Sequence, residues 1–133
     1  MHSFSSLCKP LSPSFLAPQD MPVRIGLVVL ATDMVLEIEW RDLFAGLPIE
    51  VLVARIACAA EVTPEALLTM AQQIGLCASL ILPDVSLDAI AYGCTSGSLV
   101  IGEDRVHQLL QQGNSQQITS NPFSAIKAAL AHI

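Results

Sequence analysis

The residues with the clearest chemical potential lie in the short stretch Gly93–Ser98 (GCTSGS), which supplies a thiol, neighbouring hydroxyls and free backbone N–H groups. The apolar run before it, Ala89–Tyr92, is typical of a strand buried on both faces, as in a parallel sheet. Gly93 and Gly97 allow the backbone to turn sharply and to approach a ligand closely. Because ligands of open α/β sheets bind beyond the carboxyl ends of the strands, Cys94 is predicted to lie where chemistry is done.

Cys94 has a structural and a functional interpretation. A cysteine within a buried strand is usually a small hydrophobic packing residue. This one follows the strand in a turn that opens towards a helix, where free N–H groups and the helix dipole stabilise a thiolate. We therefore expect an ionised, solvent-accessible Cys94 that acts as nucleophile or base. Thr95, Ser96 and Ser98 would form a nest of donors for a substrate carboxylate beside it.

Other chemistries fit the same stretch less well. No lysine follows it as in a Walker loop, and the glycine spacing of a dinucleotide-binding turn is missing. The segment 31–34 is too poor in glycine, serine and threonine for a flavin phosphate loop. Val100 stands where a phosphatase-type cysteine needs an arginine. A Ser–His–Asp triad is not favoured, because His2, His107 and His132 are scattered along the chain.

Asp33 directly follows the first predicted strand and also has two compatible interpretations. As a helix cap, its carboxylate accepts from N–H groups of the first turn. As a functional group, it lies in reach of the Cys94 crevice and can hold a substrate ammonium or shuttle a proton. Arg55, at the end of the second strand, is expected to form a surface ion pair rather than to bind an acid. Cys58 and Cys77 are expected to be packing residues.

Strand-like and helix-like segments alternate from Arg24 onward, and these elements must position the residues above. The β-branched and apolar runs predict strands over Arg24–Leu30, Glu50–Ile56, Asp88–Tyr92 and Gln117–Thr119. Four helices are predicted. The first follows Asp33 and directs Leu36, Trp40, Leu43 and Phe44 inward, and the second runs from Thr63-Pro64-Glu65 to Ile81. The third runs from about Glu103 to Gly113, and the fourth follows Asn121-Pro122 and directs Phe123, Ile126 and Leu130 inward.

Four successive β-α units with right-handed crossovers predict an α/β fold with a parallel sheet and helices on both faces. The predicted architecture is a flavodoxin-like, three-layer lobe with strand order 2-1-3-4. Its switch point lies between the first and third strands. That order places Thr32 and Asp33 beside the turn of Cys94, with Thr119 nearby, so these threonines are candidate substrate-binding residues.

Composition limits the class of protein. The chain has 133 residues, a net charge of −6 and 53% hydrophobic residues, enough for one domain with a substantial core. The low charge content suggests that another chain or lobe covers part of the surface. No apolar run is long enough to span a bilayer, and no Lys/Arg patch exists to bind nucleic acid. The cysteines form no C-x-x-C pair, which argues against structural zinc.

Residues 1–22 are predicted to be a disordered extension, followed by a single lobe over 23–133. The prolines of the extension interrupt the apolar core that a signal peptide needs, so we expect a cytoplasmic protein with reduced thiols. Met21, directly before the first strand, is an alternative start.

Three segments resemble the aspartate/glutamate racemase superfamily, in its maleate cis-trans isomerase and arylmalonate decarboxylase branch. They are Val28–Leu36 (VVLATDMVL), Val62–Glu65 (VTPE) and Ala91–Gly102 (AYGCTSGSLVIG). Within that branch they look most like the ectoine-utilisation protein A group, and AYGCTSG is the most specific part. The resemblance runs from about Arg24 to Leu130 and corresponds to a first lobe.

The resemblance implies an enzyme without metal or organic cofactor that holds a small carboxylate between two similar lobes. Each lobe normally offers one residue, commonly cysteine, to opposite faces of the substrate. Cys94 matches the first-lobe cysteine, and Thr95 and Ser96 match the carboxylate-binding turn. Asp33 matches a position where maleate isomerases typically have asparagine. An acid there would repel a dicarboxylate and suit an amino-bearing substrate, such as an ectoine breakdown product.

The chain stops at Ile133, where the family continues into its second lobe, so the partner cysteine is expected from a homodimer, a second chain or nowhere. The first hypothesis is a cofactor-independent isomerase or racemase lobe with Cys94 and Asp33 as catalytic residues. Ectoine breakdown is the candidate pathway for it. The alternative is a truncated lobe that binds a carboxylate or a partner protein without turnover. A flavodoxin-like phosphoacceptor fits less well, because its acid cluster and lysine are missing.

Overall fold

The computed structural model of the protein describes residues 12–15, 17, 20–115 and 118–133. Most of the predicted N-terminal extension, including His2 and Cys8, lies outside the described residues, as does Gln117 of the predicted fourth strand. The elements in chain order are β1 (Val23–Leu30), α1 (Leu36–Leu43), β2 (Ile49–Ile56), α2 (Pro64–Ser79), β3 (Ala89–Tyr92), α3 (Thr95–Ile101), α4 (Glu103–Gly113), β4 (Thr119–Ser120) and α5 (Pro122–Leu130).

The four strands form one parallel sheet in the order β2-β1-β3-β4, which confirms the predicted α/β fold and strand order. β1 pairs with β2 from Val23 opposite Ile49 to Leu30 opposite Ile56. On its other side it pairs with β3, which ends with Tyr92 opposite Val28. The order in which successive strands are added to the sheet therefore changes direction between β1 and β3. The loops that follow these two strands flank a crevice.

The two faces of the sheet are covered very unequally. On the face we call the α2/α4 face, both helices bury side chains against the sheet: Leu67, Met70, Ile74, Cys77, Ala78, Val106, Leu109 and Leu110. The opposite α1/α5 face buries only Leu27, Val29 and Ala91 of the sheet. Neither α1 nor α5 contains a fully buried residue. The sheet thus has one thick and one thin cover.

Because the α1/α5 face is poorly covered, part of the predicted core is exposed in the structure. Leu43, Ile126 and Leu130 were expected to face inward, but their exposed fractions are 71%, 53% and 64%. Met34 and Ile38 on the same face are 81% and 59% exposed. Leu36 and Trp40 do pack against the sheet, as predicted, but no described part of the chain lies over Leu43, Ile126 and Leu130.

The stretch after β3 is a helix start rather than an open turn. Thr95 is already the first residue of α3, and Gly97 lies inside that helix without a positive φ. A methyl group at Gly97 would come within 2.5 Å of Tyr92 Oη, and one at Gly93 would overlap the side chain of Leu36. Both glycines are therefore required for close packing, not for the sharp turn that the sequence predicted.

Gly113 is a second case of this kind. It is the last residue of α4, in agreement with the predicted helix, and it has no positive φ. A side-chain carbon there would collide with the carbonyl oxygen of Gly75, so the pair permits the close crossing of α2 and α4. None of the helices in the described ranges is long and apolar enough to cross a membrane.

Candidate functional site

A groove of about 440 Å³ lies on the α1/α5 face, where the carboxyl ends of β1 and β3 meet. Its lining comes from all the loops that follow these strands and from the helices beside them: Asp33, Val35, Leu36, Glu39, Trp40, Ala91, Tyr92, Gly93, Thr95, Ser120, Asn121, Pro122 and Ala125. A larger depression of about 520 Å³ lies between α2 and α4, but no thiol, imidazole or carboxylate lines it. The groove is therefore the candidate site.

Asp33 combines the two roles expected of it, a helix cap and a carboxylate in the groove. Its Oδ1 accepts hydrogen bonds from the backbone N–H groups of Val35 at 2.9 Å and Leu36 at 2.8 Å. These bonds, Leu36 first, lower the pKa of Asp33; desolvation opposes them in part, and the charge of Arg55 makes the smallest contribution, which also lowers the pKa. The carboxylate is thus held ionised while Oδ2 accepts no hydrogen bond from the described residues.

Arg55 fixes the loop that carries Asp33. Its guanidinium donates to the carbonyl oxygens of Asp33 at 2.7 Å and Leu30 at 3.3 Å. It also pairs with Glu37 at 2.9 Å, which confirms the predicted ion pair. Glu37 in turn pairs with Arg41, one helical turn on, at 2.8 Å. The β1–α1 loop is therefore tied to β2 and α1 by one arginine.

Cys94 does not present its sulfur to solvent. The residue is 8% exposed, and its Sγ accepts a hydrogen bond from Gly97 N–H at 3.2 Å. It belongs to the buried cluster on the α2/α4 face, together with Tyr92, and does not line the groove. The expectation of an open thiol is wrong for this structure, because α3 begins directly after Cys94 and the side chain folds back as its cap.

The hydroxyls after Cys94 divide into two groups. Thr95 lines the groove and Ser96 is exposed beside it. The backbone N–H groups of both lie in the first turn of α3, where no preceding turn supplies an acceptor. Ser98 is 1% exposed and donates its hydroxyl to the Cys94 carbonyl at 2.7 Å. Ser98 is therefore committed within the helix, and its predicted role in substrate binding is not supported by its position.

Thr32 and Thr119 lie outside the groove, although the strand order was expected to bring them to it. Thr32 Oγ1 is 3.3 Å from Cys58 Sγ, in a separate pocket beside α2. Thr119 Oγ1 is 2.6 Å from Nδ1 of His107. Thr119 precedes the groove residue Ser120 in β4, and the side chains of successive strand residues point to opposite faces. Thr32 lies in the turn after β1, where its side chain contacts Cys58.

Sequence reasoning missed a polar network beneath one wall of the groove. Asn121, which lines the groove and is 2% exposed, was predicted only as a cap. Its Oδ1 accepts from the N–H groups of Phe123 and Ser124, so Nδ2 must face His107 Nε2, at 3.1 Å. His107 Nε2 therefore accepts, and Nδ1–H donates to Thr119 in the neutral imidazole. The sequence signal for this network was the three-residue spacing between His107 and Leu110, which is compatible with a position of His107 towards the inner side of α4.

The charge of the groove is negative. Asp33 and Glu39 line it, and its lining contains no lysine or arginine. Trp40, expected in the core, forms part of its apolar wall and packs edge-on against Phe44 at 5.8 Å between ring centroids. Within residues 20–115 and 118–133, no cluster of His, Cys, Asp or Glu could hold a metal ion. Cys58, Cys77 and Cys94 are free thiols.

No protein-family model and no curated protein matches the sequence. Among solved structures, the maleate isomerase Iso from Pseudomonas putida S16 is similar with a TM-score of 0.62 and 20% identity, over 82% of this chain. A cysteine-to-alanine variant of that enzyme with maleate gives a TM-score of 0.63 at the same identity. Each match covers 48% of the isomerase, so this chain spans about half of its length.

At this identity the likeness shows the fold alone: an α/β fold similar to that of the maleate isomerase over the matched half. The narrower resemblance to the ectoine-utilisation protein A group finds no support in these comparisons.

Proposed function

We propose that this chain is one lobe of a cofactor-independent isomerase or racemase that acts on a small carboxylate. The observation that carries the proposal is the groove at the ends of β1 and β3. There the fixed carboxylate of Asp33 flanks one opening with Gly93 and Thr95, the residues on either side of Cys94. The similarity of the fold to that of a maleate isomerase supports the same proposal.

In the proposed mechanism, the substrate carboxylate binds at the start of α3. Thr95 contributes its hydroxyl and Ser96 its exposed first-turn N–H. The Cys94 thiolate then either removes the proton on the carbon next to the carboxylate or adds to a carbon–carbon double bond. In the second case a C–S bond forms, rotation follows about the resulting single bond, and the thiolate leaves again. Neither route requires an oxidant or a reductant.

Cys94 must move for either route. Its sulfur now accepts from Gly97 N–H, whereas Gly93 and Thr95 on either side of it line the groove. A change of side-chain rotamer that exchanges this backbone bond for the substrate would bring the sulfur to the opening. Asp33 would orient the substrate or exchange a proton from the opposite wall.

The charge of the groove favours a substrate that carries an amino group. Asp33 and Glu39 would repel a second carboxylate and attract an ammonium group. Such a substrate presents one carboxylate to Thr95 and its positive charge to Asp33. An ectoine breakdown product has these features and remains our prediction for the natural substrate.

A second lobe would complete the site. The β1–α1 loop, α1 and α5, which all contribute to the groove lining, carry large apolar side chains with exposed fractions above one half: Met34, Val35, Ile38, Ile126 and Leu130. Exposed patches of this kind mark surfaces that other protein covers. We propose that a second copy or a separate chain packs there and supplies the acid or base for the other face of the substrate.

One observation favours a second candidate function. The 8% exposure of Cys94 is compatible with a lobe that binds a carboxylate or a partner without chemistry. Under this alternative, Asp33 and Thr95 bind the ligand and the sulfur only caps α3.

The two functions are separated by exchange in heavy water. The full chain is incubated with small carboxylates, with and without an amino group, and NMR follows deuterium incorporation and cis-trans conversion. Catalysis is expected to disappear in Cys94→Ala and to persist in Cys77→Ala, the matched buried thiol. Binding without turnover in all three proteins would establish the alternative. Absence of binding would contradict both functions.

A further inference from the structure

One buried polar group has no structural task. In residues 20–115 and 118–133, Tyr92 Oη is the buried side-chain oxygen or nitrogen without a hydrogen-bond partner. The residue is 1% exposed. Since an unpaired buried hydroxyl costs free energy, native proteins rarely keep one without a reason.

The hydroxyl and the Cys94 sulfur border the same space. A methyl group on Gly97 would lie 2.5 Å from Tyr92 Oη and 3.1 Å from Cys94 Sγ. The space that a side chain at Gly97 would fill is therefore bordered by both atoms. Cys94 Sγ accepts one hydrogen bond, from Gly97 N–H, and a thiolate sulfur can accept more than one.

Tyr92 is a permanent donor in this setting. Burial raises the pKa of Tyr92 well above its usual range, and the adjacent Cys94 sulfur raises it further. The phenol therefore keeps its proton wherever the protein is folded and the thiol can ionise.

We infer that Tyr92 is a positioning residue whose hydroxyl is the hydrogen-bond donor for the Cys94 sulfur in its charged form. With a neutral thiol, the hydroxyl stays unpaired. While a thiolate keeps the capping position, before it turns towards the groove, Tyr92 O–H and Gly97 N–H both donate to the sulfur, and hydrogen bonds to an ionised acceptor are the stronger kind. The inference rests on the proposed thiolate chemistry and adds the residue that stabilises the thiolate.

The test measures ionisation directly and needs no substrate. In full-length protein that keeps Cys94 as its single cysteine (Cys8→Ser, Cys58→Ser, Cys77→Ala), isotope-labelled cysteine reports the thiolate fraction through its Cβ chemical shift. At the same pH, Tyr92→Phe is expected to reduce the ratio of thiolate to thiol by about tenfold. In a matched protein that keeps only Cys77, Tyr92→Phe is expected to leave the titration unchanged.

Stability supplies the second measurement. Removal of an unpaired hydroxyl is expected to leave the free energy of unfolding unchanged or higher at a pH where Cys94 is a thiol. A loss of stability or of folding in Tyr92→Phe would show that the hydroxyl already has a structural partner, and would overturn the inference. An unaltered titration of Cys94 would overturn it too. Either result leaves the exchange assay of the proposed function standing, so the two failures are distinguishable.

Discussion

Replacement of Asp33 by alanine tests whether one carboxylate fixes the wall of the groove. The side chain accepts two backbone N–H groups at the start of α1, at 2.9 and 2.8 Å. α1 spans eight residues and contains no fully buried one, so packing holds it weakly. Loss of the cap should therefore act mainly on this helix and on the groove that it lines.

The magnitude follows from capping energetics. Asp33→Ala removes the acceptor and is expected to lower the free energy of unfolding by about 1 kcal/mol. Asp33→Asn keeps an acceptor but loses the charge at the helix N-terminus, and should cost about 0.5 kcal/mol. Asp42→Ala removes the same charge from the exposed last turn of α1, where an acid opposes the dipole, and should cost nothing.

The pH dependence has a definite sign. Because hydrogen bonds lower the pKa of Asp33 from its ordinary value of 3.8, the folded protein binds this proton less readily than the unfolded chain. The stabilisation is fully present above that ordinary value and is lost as the pH falls through the lower pKa of the folded state. Asp33→Ala should therefore differ from the wild-type protein at neutral pH and converge with it in acid.

Urea unfolding gives the free energies, and amide hydrogen exchange shows where the helix opens. Faster exchange over residues 36–43 in Asp33→Ala, with slow exchange retained in α2, is the expected pattern. Equal stabilities of Asp33→Ala and Asp42→Ala at neutral pH would refute the capping argument.

Three further substitutions test packing and the buried network by chemical denaturation. Gly97→Ala should lower the free energy of unfolding by about 1–3 kcal/mol through overpacking. Adding Tyr92→Phe to this variant should recover part of that loss, because it removes the nearest atom. Strictly additive effects of the two substitutions would contradict the observed contact. Gly113→Ala should cost at least as much, since backbone rather than a flexible side chain blocks the added carbon; a neutral effect would disprove the close helix crossing. His107→Ala should cost about 1–3 kcal/mol by leaving a buried amide unpaired, whereas His132→Ala, at an exposed site, should be neutral; similar values for the two would rule out the network.

Local signals were sufficient to predict most of the fold. Apolar β-branched runs marked the strands, and Thr63-Pro64 and Asn121-Pro122 marked helix starts that the structure confirms through side-chain caps. The strand order followed from alternation and handedness, which do not depend on individual contacts. Bounds moved by one or two residues at the described strand ends.

The candidate site depended on less local information. The direction of the Cys94 side chain is set by its extended backbone (φ −139°, ψ 111°) and by the immediate start of α3, which composition alone does not determine. The role of Gly93 arises from Leu36, which only the tertiary structure brings near, and the role of Gly97 arises from the orientation of the nearby Tyr92 side chain. Periodicity showed which side of α5 is apolar, but it carries no information on what covers that side.

The uncovered face and the negative groove are linked by electrostatics. Any surface that covers the exposed apolar side chains of α1 and α5 also removes water from Asp33 and Glu39. It is costly to bury the charge of Glu39 and of the Asp33 carboxylate, whose Oδ2 accepts no hydrogen bond from the described residues, and no cationic side chain of the described chain lines the groove to offset this cost. A closed complex therefore needs positive charge from the covering surface or from the substrate. A substrate ammonium group would meet this need, so under the proposed function the binding of an amino-bearing carboxylate and of a second lobe should reinforce each other.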